Sequence, residues 1–262
     1  GVGAAARIST SISLGNRSLA CCILGNATVL NILLSTILIV YSLYHLDFIL
    51  DIFGGSGQTI PYARKYMSIL IPASLLTNLN FTYCHAIRAS GFSRKSMTIV
   101  FAGVIANIIL DPIFIFGFGL GIEGAAIATV ISLCINMALY IGYIVKKKGV
   151  LRFSVKNIAP SKTICAEVLK IGIPVLLFQL LASASMGSIN NASKSYGDYA
   201  VAAMGAVTRI MTVVTYVVFG FLKGFQPFAG YNYGAKKFDR LQKSIKLCMA
   251  WSTVFGVIAA II

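Results

Sequence analysis

The chain has 262 residues, 58% of them apolar and only 11% charged, with a net charge of +15 and a mean hydropathy of +0.86. About a quarter of the residues of an average soluble domain are charged, so this composition excludes an ordinary soluble globule and defines an integral membrane protein. The positive charge does not point to nucleic acid, because the basic residues fall in short bursts between apolar runs of about twenty residues, the length of a membrane span.

Up to Ser13 the chain reads as the tail of a membrane helix. Seven apolar segments follow, near residues 20–44, 62–88, 97–118, 123–145, 171–192, 200–222 and 241–262, each long enough to span. The chain begins at Gly1 without methionine and ends inside VFGVIAAII, so both ends read as cut from a longer protein. Short loops rich in lysine and arginine stay on the cytoplasmic side. Arg17, then Arg88, Arg94 and Lys95, then Lys146, Lys147, Lys148, Arg152, Lys156 and Lys162, then Lys236, Lys237, Arg240 and Lys243 mark alternate loops as cytoplasmic. The intervening loops carry Asp47 and Asp51, then nothing basic, then Lys194 beside Asp198, and are expected outside. Residues 146–170 form the longest loop and are expected to connect two bundles. A shift of 219 residues lays Gly15 on Gly234 and Arg17 on Lys236, a faint half-to-half similarity of the kind found in secondary transporters.

Several familiar chemistries are excluded by spacing. The six cysteines lie mostly in apolar runs without CxxC spacing and read as small core residues. His45 and His85 stand near no nucleophile motif and in no HExxH pattern, which argues against a membrane hydrolase. GLGIEG, residues 119–124, has no preceding strand and no following GK[ST]; it reads as a turn and close-packing motif, with Glu123 stabilised at the start of a helix. Lys223 is expected to snorkel near the cytoplasmic end of its helix.

Asp111 is the residue that demands explanation. It stands beside Pro112 in ANIILDPIFIFG, where a charge costs at least about 2.5–3.5 kcal/mol and needs a partner. Asn107, one turn earlier, shares its helix face. An antiparallel hairpin about a turn near Leu120 sets Thr129, on the next helix, level with Asp111. Pro112 cannot donate to the carbonyl of Ile108, so that oxygen is freed at the same depth and the helix can bend. Carboxylate, amide, hydroxyl and carbonyl make an all-oxygen set suited to sodium, while the carboxylate alone suits a proton; the two would compete for one negative charge. The reading opposed to transport is a kink-stabilising Asp-Pro near a membrane surface. Farther on, Gln179, Ser183, Met186 and Asn190 trace one stripe down an apolar helix, fitting either interhelical hydrogen bonds or cavity lining. Arg209, deep in its segment, is expected to pair with a polar group in the bundle, or else to repel or relay cations.

RASGFSRKSM (residues 88–97), NIILDPIFIFGFGLGIEGAAIATVIS (107–132) and GFQPFAGYNYGAKKFDR (224–240) resemble the multidrug and toxic compound extrusion family, the MATE transporters, and most of all its bacterial MepA-like branch. The resemblance runs over essentially the whole chain. It implies an all-α membrane protein with a two-lobe helical bundle shaped as an inverted V, here truncated to the end of helix 2 through helix 9. On that template residues 1–145 belong to the N-terminal lobe, 146–170 to the inter-lobe connector and 171–262 to part of the C-terminal lobe. The family's first-lobe cation site has asparagine and aspartate one turn apart on helix 5 and threonine on helix 6, which Asn107, Asp111 and Thr129 match. A glutamate that some members carry about eight residues after the Gly-x-Pro of helix 7 falls here on Ala182, which speaks against a second-lobe ion site of that type.

The resemblance implies a multi-pass protein of the bacterial inner membrane, monomeric at full length. It would export organic cations and amphipathic drugs in exchange for H+ or Na+, with no enzymatic activity, cofactor or nucleic-acid partner. A lipid-linked oligosaccharide flippase of the same wider superfamily and a seven-helix receptor are the alternatives. The flippase would need a strongly cationic central cavity, and the receptor does not accommodate the helix tail before Ser13.

Overall fold

A computed structural model describes residues 1–52, 60–146, 162–194 and 196–261. The elements are α1 (Val2–Ser13), α2 (Arg17–Tyr44), the short α3 (Leu46–Ile52), α4 (Ile60–Ala89), α5 (Ser93–Pro112) with a π-helical turn (Ile113–Gly117), α6 (Gly121–Val145), α7 (Lys162–Lys194), α8 (Asp198–Gly234) and α9 (Phe238–Ile261). The described residues form no strand. In a bilayer every backbone polar group must be satisfied within the protein, and helices achieve this segment by segment. Five helical stretches, Arg17–Tyr44, Ser93–Gly117, Gly121–Val145, Thr163–Ser193 and Ala203–Gly234, are long and apolar enough to cross a membrane. The segments expected at 62–88 and 241–262 form helices of spanning length, α4 and α9, whose composition is more polar. Lys147, Lys148, Arg152 and Lys156, and with them most of the expected connector, lie outside the described residues.

The core lies where α1, α2 and α4 meet, around Ile8, Ile23, Leu24, Tyr83 and Ile87, with Tyr140 and Ile144 of α6 against it. Much of the remaining apolar surface is exposed, including Ile108 and Ile109 of α5 and Leu180 and Leu181 of α7. That pattern suits helices whose solvent is lipid. Of the cysteines, Cys21, Cys84 and Cys248 are buried, whereas Cys134 is exposed on α6, contrary to the core reading of the sequence. Its small, weakly polar thiol makes exposure on an apolar helix tolerable.

Most of the charged residues sort to two ends. At one, Ser13 of α1 packs against Gly234 of α8, Phe92 meets Tyr143, and Arg7 of α1 pairs with Glu167 of α7. Glu167 lies in the first turns of α7, which begins at Lys162, before the apolar run. At the other end, Arg64 pairs with Asp47 at 2.5 Å and Lys65 with Glu123 at 3.1 Å. Arg64 and Lys65 at this acidic end are thus each neutralised by a carboxylate.

The ends of α1 and α8 close in the same way. Leu14, Gly15 and Asn16 donate their amides to Thr10, Ile12 and Ser11; Ala235, Lys236 and Lys237 donate theirs to Tyr231, Tyr233 and Asn232 in the same pattern. The two helix ends therefore correspond at an offset of 221, Gly15 to Lys236. The left-handed backbone position after α8 is filled by lysine.

Candidate functional site

The hairpin of α5 and α6 is held by glycines at two levels. A Cβ on Gly103 would overlap the Asn136 amide, and one on Gly124 would stand 2.6 Å from the Phe114 carbonyl oxygen. Two residues of the GLGIEG turn take positive φ, Gly119 at 66° and Gly121 at 54°. Only glycine adopts that conformation without strain, which allows so tight a reversal. Interpolating between the two contact levels puts Asp111 within about half a turn of Thr129, as the antiparallel register requires.

Asp111 is half-buried on this hairpin, and Asn107 Nδ2 donates to its Oδ1 at 3.2 Å. Immediately after Pro112 the helix widens into the π-helical turn, in which Phe118 donates to the Ile113 carbonyl five residues back. The proline's missing amide and this widened turn disturb the regular ladder beside the carboxylate. Thr129 Oγ1 donates to the Ala125 carbonyl at 2.9 Å. That geometry leaves the hydroxyl's lone pairs free to accept or to ligate. No hydrogen bond joins Thr129 to Asp111 among the described residues. The three side chains supply a carboxylate, an amide and a hydroxyl, all hard oxygen ligands for a small cation. Glu123, in the first turn of α6, forms an ion pair with Lys65 of α4.

The stripe on α7 divides. Gln179 lines a cavity of about 480 Å³ between α2, α4 and α7, while Ser183 and Met186 are exposed and do not line it. The side chain of Asn190 lies outside the described residues. Arg209 is exposed on α8 and joins no ion pair among the described residues. Because α8 continues through Pro227 to Gly234, Lys223 sits three turns inside the helix and lines a small gap with His85 and Arg88 of α4.

A polar ladder between α2 and α4 escaped the sequence reading. Asn31 Nδ2 donates to Thr82 Oγ1 at 2.7 Å and to the Asn78 carbonyl at 2.9 Å. Asn78 Nδ2 donates to Ser35 Oγ at 3.0 Å, and Ser35 in turn donates to Asn31 Oδ1 at 3.3 Å. Asn31 and Asn78 also line the cavity, beside Phe81. The available signal was the spacing of four in both pairs, Asn31 with Ser35 and Asn78 with Thr82, within apolar runs.

Long apolar helices, with a carboxylate and several amides set inside the bundle, define a multi-pass helical membrane protein of the transporter kind. The MatE family model matches residues 1–113 and 174–262, and the chain belongs to this family, the multidrug and toxic compound extrusion transporters. MatE is a family of transporters and not of enzymes. The multidrug export protein MepA of Staphylococcus haemolyticus (strain JCSC1435) is 32% identical over 233 residues, 88% of this chain and 51% of the relative. MepA of Staphylococcus aureus (strain NCTC 8325 / PS 47) is 33% identical over 227 residues, 86% of this chain and 50% of the relative. The chain thus spans about half the length of these curated relatives. A crystal structure of MATE in the bent conformation matches with a TM-score of 0.88 at 23% identity, over 98% of this chain and 58% of that one, a likeness of fold.

Proposed function

We propose that the full-length protein is a secondary multidrug exporter of the bacterial cell membrane, moving organic cations and other amphipathic compounds outward in exchange for H+ or Na+. The observation that carries this reading is the Asn107–Asp111 hydrogen bond beside Pro112, on a hairpin that sets Thr129 at the same level, in a chain that belongs to the MatE family. The relatives' name, multidrug export protein, supports the substrate class. In this reading residues 1–145 form the first lobe, 146–170 the connector and 171–262 part of the second.

Asp111 holds the coupling ion with Asn107 and Thr129, a proton or sodium neutralising the same charge. The drug occupies the cavity beside Asn31, Asn78, Phe81 and Gln179. Its lining is apolar, aromatic and amide-bearing, and adaptable apolar area of this kind suits promiscuous recognition. Among the described residues the lining includes no lysine or arginine, which favours a cationic drug over the anionic headgroup of a lipid-linked sugar.

The test uses the full-length protein in proteoliposomes, loaded either with a fluorescent organic cation or with a lipid-linked sugar. Flux of the cation that follows an imposed sodium or proton gradient is expected. Flux of the sugar alone would transfer the protein to the flippases.

A further inference from the structure

The α5–α6 hairpin is tight at Gly124 and at Gly103 but parts toward the lysine-rich end. There it opens a groove of about 590 Å³. Its walls are apolar, with Ile99 from one helix and Leu139 and Gly142 from the other. Phe92 and Tyr143 meet edge to face across it, ring centroids 6.0 Å apart, as aromatic residues do at the membrane–water boundary. Lys95, on the first turn of α5, and Lys146, capping α6, stand at its mouth. Both lysines are exposed, and neither joins an ion pair among the described residues. Arg64 and Lys65 at the acidic end differ, since each has a carboxylate.

We propose that this groove binds one anionic glycerophospholipid of the cytoplasmic leaflet. Its phosphate sits between Lys95 and Lys146, and the upper part of an acyl chain lies against Ile99, Leu139 and Gly142. Two unneutralised ammonium groups call for a negative charge, and the apolar walls below them call for a hydrocarbon chain. An anionic lipid joins both in one molecule. The loop charges assign this end to the cytoplasm, where anionic lipids and basic pockets between membrane helices meet. A cationic drug would be repelled at the mouth, and free phosphate would leave the apolar walls unused. The lipid fills the space where the hairpin parts and so steadies the inner half of the two helices that carry Asn107, Asp111 and Thr129.

The experiment is native mass spectrometry of the purified full-length protein, titrated with phosphatidylglycerol or with phosphatidylcholine of the same acyl chains. The wild type should retain phosphatidylglycerol preferentially, and inorganic phosphate should not displace it. Each lysine near the surface contributes roughly a fivefold change in affinity, so the double variant Lys95→Gln/Lys146→Gln should lose the preference by at least about tenfold. Gly142→Leu fills the groove and should lower retention with both lysines in place; its Cβ would point into open space, so the helices need not move. This variant carries the test by itself if the double variant does not fold. Equal retention of the two lipids by the wild type, displacement by inorganic phosphate, or retention unchanged in a folded variant would overturn the proposal.

Discussion

Lys236, at the end of α8, adopts the backbone conformation that Gly15 adopts at the end of α1: φ is 55° at the lysine and 77° at the glycine. The same pattern of hydrogen bonds closes both helices. A residue with a Cβ is strained in this conformation by about 1–2 kcal/mol, and glycine is not.

Lys236→Gly should therefore stabilise the protein by about 1 kcal/mol, offset in part by the greater freedom of glycine in the unfolded chain. Gly15→Ala should destabilise it by a similar amount, through φ alone, since no atom lies within 4 Å of the added Cβ. Thermal unfolding of the purified full-length variants should show apparent midpoints moving in opposite directions.

The two tight levels of the α5–α6 hairpin lead to a second prediction. In Gly124→Ala the new methyl meets backbone, the Phe114 carbonyl, which has no rotamer with which to yield. The helices must shift apart, at a cost of about 1–3 kcal/mol, and the register of Asp111 with Thr129 shifts with them. Efflux should fall more steeply than membrane-inserted protein does. Gly256→Ala, in open space on α9, is the control and should leave both unchanged.

What the sequence disclosed and what it withheld have physical causes. Asp111 was legible because a carboxylate inside an apolar run is costly wherever the run folds, and Asn107 because one turn of helix fixes its face. Helix existence followed from the length of the apolar runs. The ladder of Asn31, Ser35, Asn78 and Thr82 was not legible, because it depends on which faces of α2 and α4 meet, a tertiary choice that periodicity within one helix does not encode. The length of α8 was missed for a related reason. The sequence shows where apolar character falls but not that α8 continues, through Pro227, to Gly234.

Orientation can be tested at residues the ion pairs already define. Asp47 is paired with Arg64 at the acidic end, and Lys237 follows α8 at the lysine-rich end. By the distribution of basic loops the first faces outward and the second the cytoplasm. Asp47→Cys in intact cells, with the other exposed cysteines removed, should react with an impermeant maleimide. Lys237→Cys should react only after the membrane is opened. Equal labelling in intact cells would show that the orientation is wrong.

The last prediction concerns the carboxylate itself. Asp111→Asn preserves shape and much of the hydrogen bonding to Asn107 but removes the only charge in the trio, so it separates ion coupling from packing. In the full-length protein, reconstituted in proteoliposomes, it should abolish efflux driven by an imposed sodium or proton gradient while the inserted amount stays at the wild-type level. Asn107→Ala removes one neutral ligand and the donor to Asp111, and Thr129→Ala removes one neutral hydroxyl. Each should weaken cation binding without abolishing coupling, because the charge for which proton and cation compete remains. Expected efflux therefore falls in the order wild type, either alanine variant, Asp111→Asn. Gradient-driven efflux at the wild-type rate in Asp111→Asn would show that the aspartate beside Pro112 serves only to shape the helix, and the coupling site would have to be sought elsewhere in the bundle.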